Sequence, residues 1–290
     1  MLNCSFETTA EEFITKIYKG NLNIVKLLLK NNANPNIIVN FNNKNMPLLY
    51  VLVKNIETPN RLEMIRLLLE HGADPNCCGE EKLIKLLLLA INNKSDKDRV
   101  EIISLLLKHG ADPNINVIIQ NRIMPLLAAV IVAQPIPNRT EIIELLLKHG
   151  ANPNVTLVED DITIPLCVYE LVMNPQNIEE RLATLNLLIK YGADPNQHFQ
   201  VEDYKIPLLG WTLLNVENVE NVNMKVAQLL LDAGADPNLN MQRGEYKDTL
   251  FGYVLESSFT NKMEVIELFL KHGASLKELT AHNNCYGGLQ

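Results

Sequence analysis

One pentapeptide, Gly-Ala-Asp/Asn-Pro-Asn, recurs at near-constant spacing along the 290 residues and leaves few folds open. Its copies begin at Asn32 (glycine replaced), Gly72, Gly110, Gly150, Gly192 and Gly234, and a degenerate copy opens Gly273-Ala274-Ser275-Leu276. The intervals are 40, 38, 40, 42, 42 and 39 residues. A period of that length marks stacked supersecondary units, each of which buries its apolar face only against its neighbours. Such an architecture is mostly surface, built to hold a partner.

Each copy follows a helical pattern. In Arg99 to Asn114, the apolar residues Val100, Ile102, Ile103, Leu105, Leu106 and Leu107 make a wide stripe at helical spacing. Lys108 and His109 suit the negative end of the helix dipole, and Gly110 supplies a left-handed stop. His71, His109, His149 and His272 share one slot and read as helix-end residues rather than metal ligands. Thr58-Pro59, Ser95-Asp96, Asn174-Pro175, and Asn138 or Thr140, are the expected capped starts of these outer helices. A shorter apolar run, opened by a proline in MPLLYVL (46–52), MPLLAAV (124–130), IPLCVYE (164–170) and IPLLGWT (206–212), forms an inner helix before each.

Between a pentapeptide and the next inner helix, turn-forming pairs stand at Asn42-Asn43, Gln120-Asn121, Asp160-Asp161, Glu202-Asp203 and Gly244-Glu245. With turns there, Val39/Met46, Val117/Met124, Leu157/Ile164, Phe199/Ile206 and Met241/Asp248 should face each other across two-stranded hairpins. The segment after Asn76 is two residues shorter, so its hairpin (77–84) should be stunted.

The Gly-Ala-Asp-Pro-Asn stop, the x-Pro-Leu inner-helix start and the Ile-x-Leu-Leu-Leu outer helix together resemble the ankyrin repeat, over about residues 10–276. The resemblance implies an all-α solenoid of stacked helix-turn-helix repeats with extended β-hairpin fingers. The expected organisation is one continuous domain of seven units at about 5–36, 37–76, 77–114, 115–154, 155–196, 197–238 and 239–276, then a tail at 277–290. The family's Thr-Pro-Leu-His is missing, since Leu49, Leu127, Leu209 and Cys167 occupy the histidine position. Apolar packing is therefore expected to replace the polar bonds between repeats. Long joints such as 92–99, 133–138 and 215–223 stretch the unit beyond the family's usual length.

Composition narrows the function classes. Five cysteines, with an adjacent Cys77-Cys78 pair and no C-x-x-C spacing, speak against a disulfide framework or zinc site and for a reducing compartment. The longest uncharged stretch, 123–138, is too short to span a bilayer and is broken by three prolines. No secretory signal is visible, so a soluble cytoplasmic protein is expected. Residues 1–145 carry 16 Lys/Arg against 15 Asp/Glu, whereas residues 146–290 carry 10 against 19. That acidic half disfavours nucleic acid and favours a protein partner with a basic surface.

No phosphate loop, H-E-x-x-H or G-x-S-x-G is present. Asp74, Asp112, Asp194 and Asp236 belong to the repeat turn. The chain reads as a non-enzyme with no cofactor, and as a monomer. The candidate partner-binding residues are Glu159, Asp160, Asp161, Glu202, Asp203 and Glu245, an acidic ridge of hairpin tips, with Tyr204 and Tyr246 beside them. Trp211 shares an inner-helix slot with Tyr169 and Tyr253, a slot assigned to the core between repeats, though such aromatics are also frequent binding hot spots.

The resemblance implies a binding module that grips a protein through fingers and concave inner-helix face. Alternatives are an inhibitor occluding a partner enzyme's active site, or an adaptor joining two partners. The Asn-, Ile- and Lys-rich composition resembles ankyrin proteins that intracellular bacteria and large DNA viruses deploy in the host cytosol.

Overall fold

The computed structural model describes residues 10–79, 85–93, 95–119, 122–132, 136–159, 162–173, 178–214, 220–257 and 260–275. They fall into two compact units, Met1–Ala151 and Asn152–Gln290. The first holds four helix pairs: α1 (Ala10–Tyr18) with α2 (Leu22–Lys30), α3 (Leu48–Lys54) with α4 (Arg61–Glu70), α5 (Leu86–Asn92) with α6 (Arg99–Lys108), and α7 (Leu126–Val132) with α8 (Arg139–Lys148). Two hairpins stand before α3 and α7: β1 (Ile38–Phe41) with β2 (Lys44–Pro47), and β3 (Asn116–Ile119) with β4 (Arg122–Pro125). The second unit repeats the scheme three times. Hairpins β5 (Thr156–Glu159)–β6 (Ile162–Pro165), β7 (His198–Val201)–β8 (Tyr204–Pro207) and β9 (Asn240–Arg243)–β10 (Tyr246–Thr249) precede three helix pairs. These are α9 (Leu166–Val168) with α10 (Ile178–Lys190), α11 (Leu208–Leu214) with α12 (Glu220–Asp232), and α13 (Leu250–Glu256) with α14 (Lys262–Lys271). α9 runs on into a π-helical turn, Tyr169–Met173.

Burial follows the stacking. Inner helix α3 is buried at six consecutive positions, Leu48 to Val53, because it is covered by its own outer helix and by α5. Outer helices stack α2 on α4 on α6 on α8 in the first unit, and α10 on α12 on α14 in the second. Their buried residues form a stripe, such as Ile102, Ile103, Leu106 and Leu107 of α6. No helix among the described residues is long and apolar enough to cross a membrane.

The pentapeptide does two jobs. Its glycine ends the outer helix at φ near +90°, with open space where a Cβ would stand, so the backbone angle and not crowding selects glycine. Asn32 takes the same role in the first unit at φ 65, a conformation asparagine tolerates. The final asparagine then clasps the next copy. Asn36 donates to the Gly72 carbonyl (2.9 Å) and accepts from the Asp74 amide (2.7 Å). Asn76 does the same to Gly110 and Asp112 at 2.9 and 2.8 Å. In the second unit Asn154, Asn196 and Asn238 repeat the clasp on Gly192/Asp194, Gly234/Asp236 and Gly273/Ser275.

This ladder corrects the expectation that only apolar packing joins the repeats. Polar bonds do join successive repeats, at the pentapeptide. The aspartates, as expected, cap locally: Asp74, Asp112, Asp194 and Asp236 each accept the amide two residues on, at 2.8–2.9 Å. His71, His149 and His272 sit at helix ends, with Nδ1 bonded to the carbonyl four residues back at 2.8–2.9 Å.

The outer-helix starts differ from the sequence expectation. α4 begins at Arg61 rather than after Thr58, and α8 at Arg139; each is preceded by a left-handed asparagine, Asn60 (φ 54) or Asn138 (φ 57), with no side-chain cap. α6 begins at Arg99 after Asp98, again without a side-chain cap. Asn174-Pro175 lies outside the described residues. The first helical residue is instead a buried arginine reaching back to the inner helix. Arg61 lies against the carbonyls of Leu52 and Val53, and Arg139 donates to those of Val130 and Ile131. Arg181 donates to the Glu170 carbonyl (3.1 Å) and Lys262 to that of Leu255. These cations satisfy carbonyls that the end of a short helix leaves open, where the dipole favours positive charge. Arg61 also forms an ion pair with Asp96 of the next joint, and Arg99 donates to the Pro137 carbonyl.

Candidate functional site

Alternation places the hairpins' chemistry. The observed registers pair Val39 with Met46, Val117 with Met124, Leu157 with Ile164, Phe199 with Ile206 and Met241 with Asp248, as the sequence alternation predicts. All lie inward except Met124, which is half-buried. Asn42 and Asn43 turn the first hairpin with both φ positive, and Glu202 and Gly244 supply positive φ in the last two. The short segment after Asn76 makes one isolated bridge, Cys78 to Lys85, as a stunted finger should.

Because side chains alternate, what points outward is equally determined. Ile38 is 58% exposed, Ile118 52%, Ile123 74% and Val158 63%. Ile118 and Ile123 are cross-strand partners, so one finger carries a two-isoleucine plate in solvent. The acidic and aromatic reading of the sequence missed these residues. The signal that could have found them is the run of consecutive apolar residues Val117-Ile118-Ile119, in which alternate members cannot share one face.

Burial of Asp248 explains the one charged inward position. Its carboxylate accepts the Thr249 amide (2.6 Å), while Thr249 Oγ1 accepts from Gly252 to cap α13. A Cβ at Gly252 would lie 2.4 Å from an Asp248 oxygen, so any larger residue there would force this carboxylate to move.

Of the tip residues, Glu202, Asp203 and Glu245 are exposed, as is Tyr204 at 46%. The structure brings these together more closely than separate fingers would. β8 pairs with β9 through Tyr204–Arg243 and Lys205–Gln242, fusing the last two hairpins into one sheet of order β10-β9-β8-β7. The Gly244 amide donates to the Asp203 carbonyl (3.2 Å), joining one tip to the other. The backbone of Tyr246 pairs with Arg243, and that of Glu159 with Ile162. Asp160 and Asp161 lie outside the described residues.

Trp211 is half-buried on α11, its ring 5.7 Å from that of Phe199, and its indole N–H is buried with no hydrogen-bond partner among the described residues. Tyr169 is 9% exposed and Tyr253 half-buried, so the slot is largely buried in all three units.

Against the four-stranded sheet lies a hollow of about 510 Å³, lined by His198, Lys205, Asn240, Gln242, Lys247 and Asp248 among others. Burial, then neighbouring Lys205, pushes the His198 imidazole below its usual pKa, against weaker opposition from the Asn196 backbone and Asp194. Gln242 is held by its amide nitrogen on the Gly244 carbonyl (3.2 Å).

Cys77, Cys78 and Cys167 are free thiols. Burial, then Asp74 and Cys78, pushes Cys77 up to about 12, and burial, then Glu170, does the same for Cys167. Among the described residues no group of three or more His, Cys, Asp or Glu could hold a metal ion.

No curated protein matches the chain. The ankyrin repeat family matches at residues 16–40, 45–80, 81–116 and 123–156, which are four successive units of the first half. Pentapeptide, hairpin and helix pair continue beyond residue 156 in the same order.

Proposed function

The chain is an ankyrin-repeat protein across residues 16–156, and from that premise we propose that it is a non-catalytic module binding a partner protein through its hairpins. Ankyrin repeats are general protein–protein interaction modules. The observation that carries the finer reading is where large apolar side chains meet water. Of the nine large apolar side chains exposed among the described residues, Ile38, Ile118, Ile123, Val158 and Tyr204 stand on hairpin strands, while Leu27, Ile56, Met263 and Leu270 lie elsewhere. Exposed apolar groups beyond the core's needs mark interaction surface. Within the second unit, the hairpins that carry Val158 and Tyr204 also carry the acids Glu159, Glu202, Asp203 and Glu245, and together with Asp160 and Asp161, which follow Glu159 in the sequence, these favour a partner with a basic surface. Charge of this kind raises association rate and orients the encounter, while the apolar plate supplies the buried contact.

Trp211 and Tyr246 complete the proposed surface at the inner helix and the last strand. Acting alone as a monomer in the cytoplasm of a host cell, such a surface would serve an effector that occupies one host protein, with inhibitor and two-partner adaptor as the rival roles. The test is affinity purification with the wild-type chain and with Ile118→Asp/Ile123→Asp, read by mass spectrometry. Proteins held by the wild type and lost by the variant, at unchanged melting temperature, support the reading. Equal recovery by both chains sinks it.

A further inference from the structure

The last two hairpins differ from the others described in being joined edge to edge, and the face they create has an unusual charge. All four strands contribute to its hollow: His198 from β7, Lys205 from β8, Asn240 and Gln242 from β9, Lys247 from β10. In residues 146–290, where acids outnumber bases 19 to 10, two lysines and a histidine line one opening. Among the described residues Asp248 is the one acid lining it, and its carboxylate accepts the Thr249 amide at the start of α13. Neither lysine makes an ion pair among the described residues, and both are exposed.

We infer that this hollow receives an acidic side chain of an extended protein segment, a glutamate or aspartate held between Lys205 and Lys247. Three arguments meet here. The volume, about 510 Å³, lies inside the range of about 300–1,000 Å³ typical of ligand sites. The chemistry divides sensibly, with two ammonium groups for a carboxylate and the amides of Asn240 and Gln242 for peptide N–H and C=O groups. The position is also constructed: without the β8–β9 pairing, Lys205 and Lys247 would belong to separate fingers.

The site is of opposite charge to the tips and does not rest on the apolar-plate reading. A partner engaging both would carry an acidic residue for the hollow and basic residues for Glu202, Asp203 and Glu245. Such a pattern also rejects uniformly basic or uniformly acidic segments.

The test uses the full chain and a fluorescent, end-capped tetraglutamate peptide, with tetralysine as the control and free glutarate and inorganic phosphate as competitors. Tetraglutamate should bind, should lose about tenfold or more in affinity in Lys205→Gln/Lys247→Gln, and should be displaced by glutarate. The His198 ring resonances should move on peptide addition in the wild type. Binding that survives the double substitution, no binding, or preference for tetralysine would each overturn the site. Displacement by phosphate far below the glutarate concentration needed would overturn the carboxylate assignment. Both substituted positions are exposed, so an unchanged melting temperature separates lost binding from lost fold.

Discussion

Replacing Arg61 by methionine should unfold the first unit far more readily than its place at a helix start suggests. Lysines and arginines at a helix surface contribute about 0–1 kcal/mol through their ion pairs, because water screens them. Arg61 is different: its side chain is 4% exposed and that of its partner Asp96 is 5%. At that burial, removing one member strands the other, a loss of about 3–5 kcal/mol in comparable pairs. Two details move the expected figure to the lower end. The bonds to the Leu52 and Val53 carbonyls are 3.5 and 3.4 Å, too long to add much, and Asp98 stands 3.8 Å away, half-exposed and able to share the charge.

We therefore expect Arg61→Met to cost about 3 kcal/mol and Arg61→Met/Asp96→Leu clearly less, since an apolar pair of similar volume leaves no stranded charge. Urea unfolding followed by far-ultraviolet circular dichroism, arranged as a double-mutant cycle, measures both. A single-substitution cost below about 1 kcal/mol, or effects that add within about 0.5 kcal/mol, would show that the pair behaves as a solvated one and refute the reasoning.

Other outcomes follow from the same structure. Asn76→Ala removes one donated and one accepted bond to the next copy, so it should cost about 1–2 kcal/mol in urea unfolding. Asn76→Asp keeps the acceptor only and should fall between the two. Cys167, fully buried with its thiol pushed up to about 12, holds almost no thiolate at pH 8; it should label with iodoacetamide only after unfolding, as peptide mapping would show. Labelling in the native chain at the rate of a free thiol would contradict that burial.

The parts legible in the sequence were those set by local periodicity. Helix stops were written in glycine, and all five hairpin registers followed from a turn pair and alternating side chains. What escaped depended on contacts about a repeat length away. Asn76 looked like the tail of a turn, yet its amide serves Gly110 and Asp112. Arg61, Arg99 and Arg139 carry no sequence signal of burial, yet all three are buried, Arg61 and Arg99 with partners in the neighbouring joint at Asp96 and Pro137. The fusion of β8 with β9 left no trace in either hairpin alone, since strand pairing between successive fingers depends on how the helices beneath them stack. Glu202, Asp203 and Glu245 are exposed, as tip residues should be, but the outward isoleucines Ile38, Ile118 and Ile123 were overlooked because consecutive apolar residues suggest burial on both faces.

The asparagine clasp separates two properties that usually constrain each other. Bonded residues lie 34 to 38 positions apart along the chain, yet donor and acceptor stay 2.8–3.3 Å apart in every copy. Everything between consecutive clasps can therefore lengthen or shorten without disturbing the rivets. Fingers and joints are free to diversify toward new targets while the spine keeps its pitch, and a graft of one copy's finger onto another should leave the spine intact.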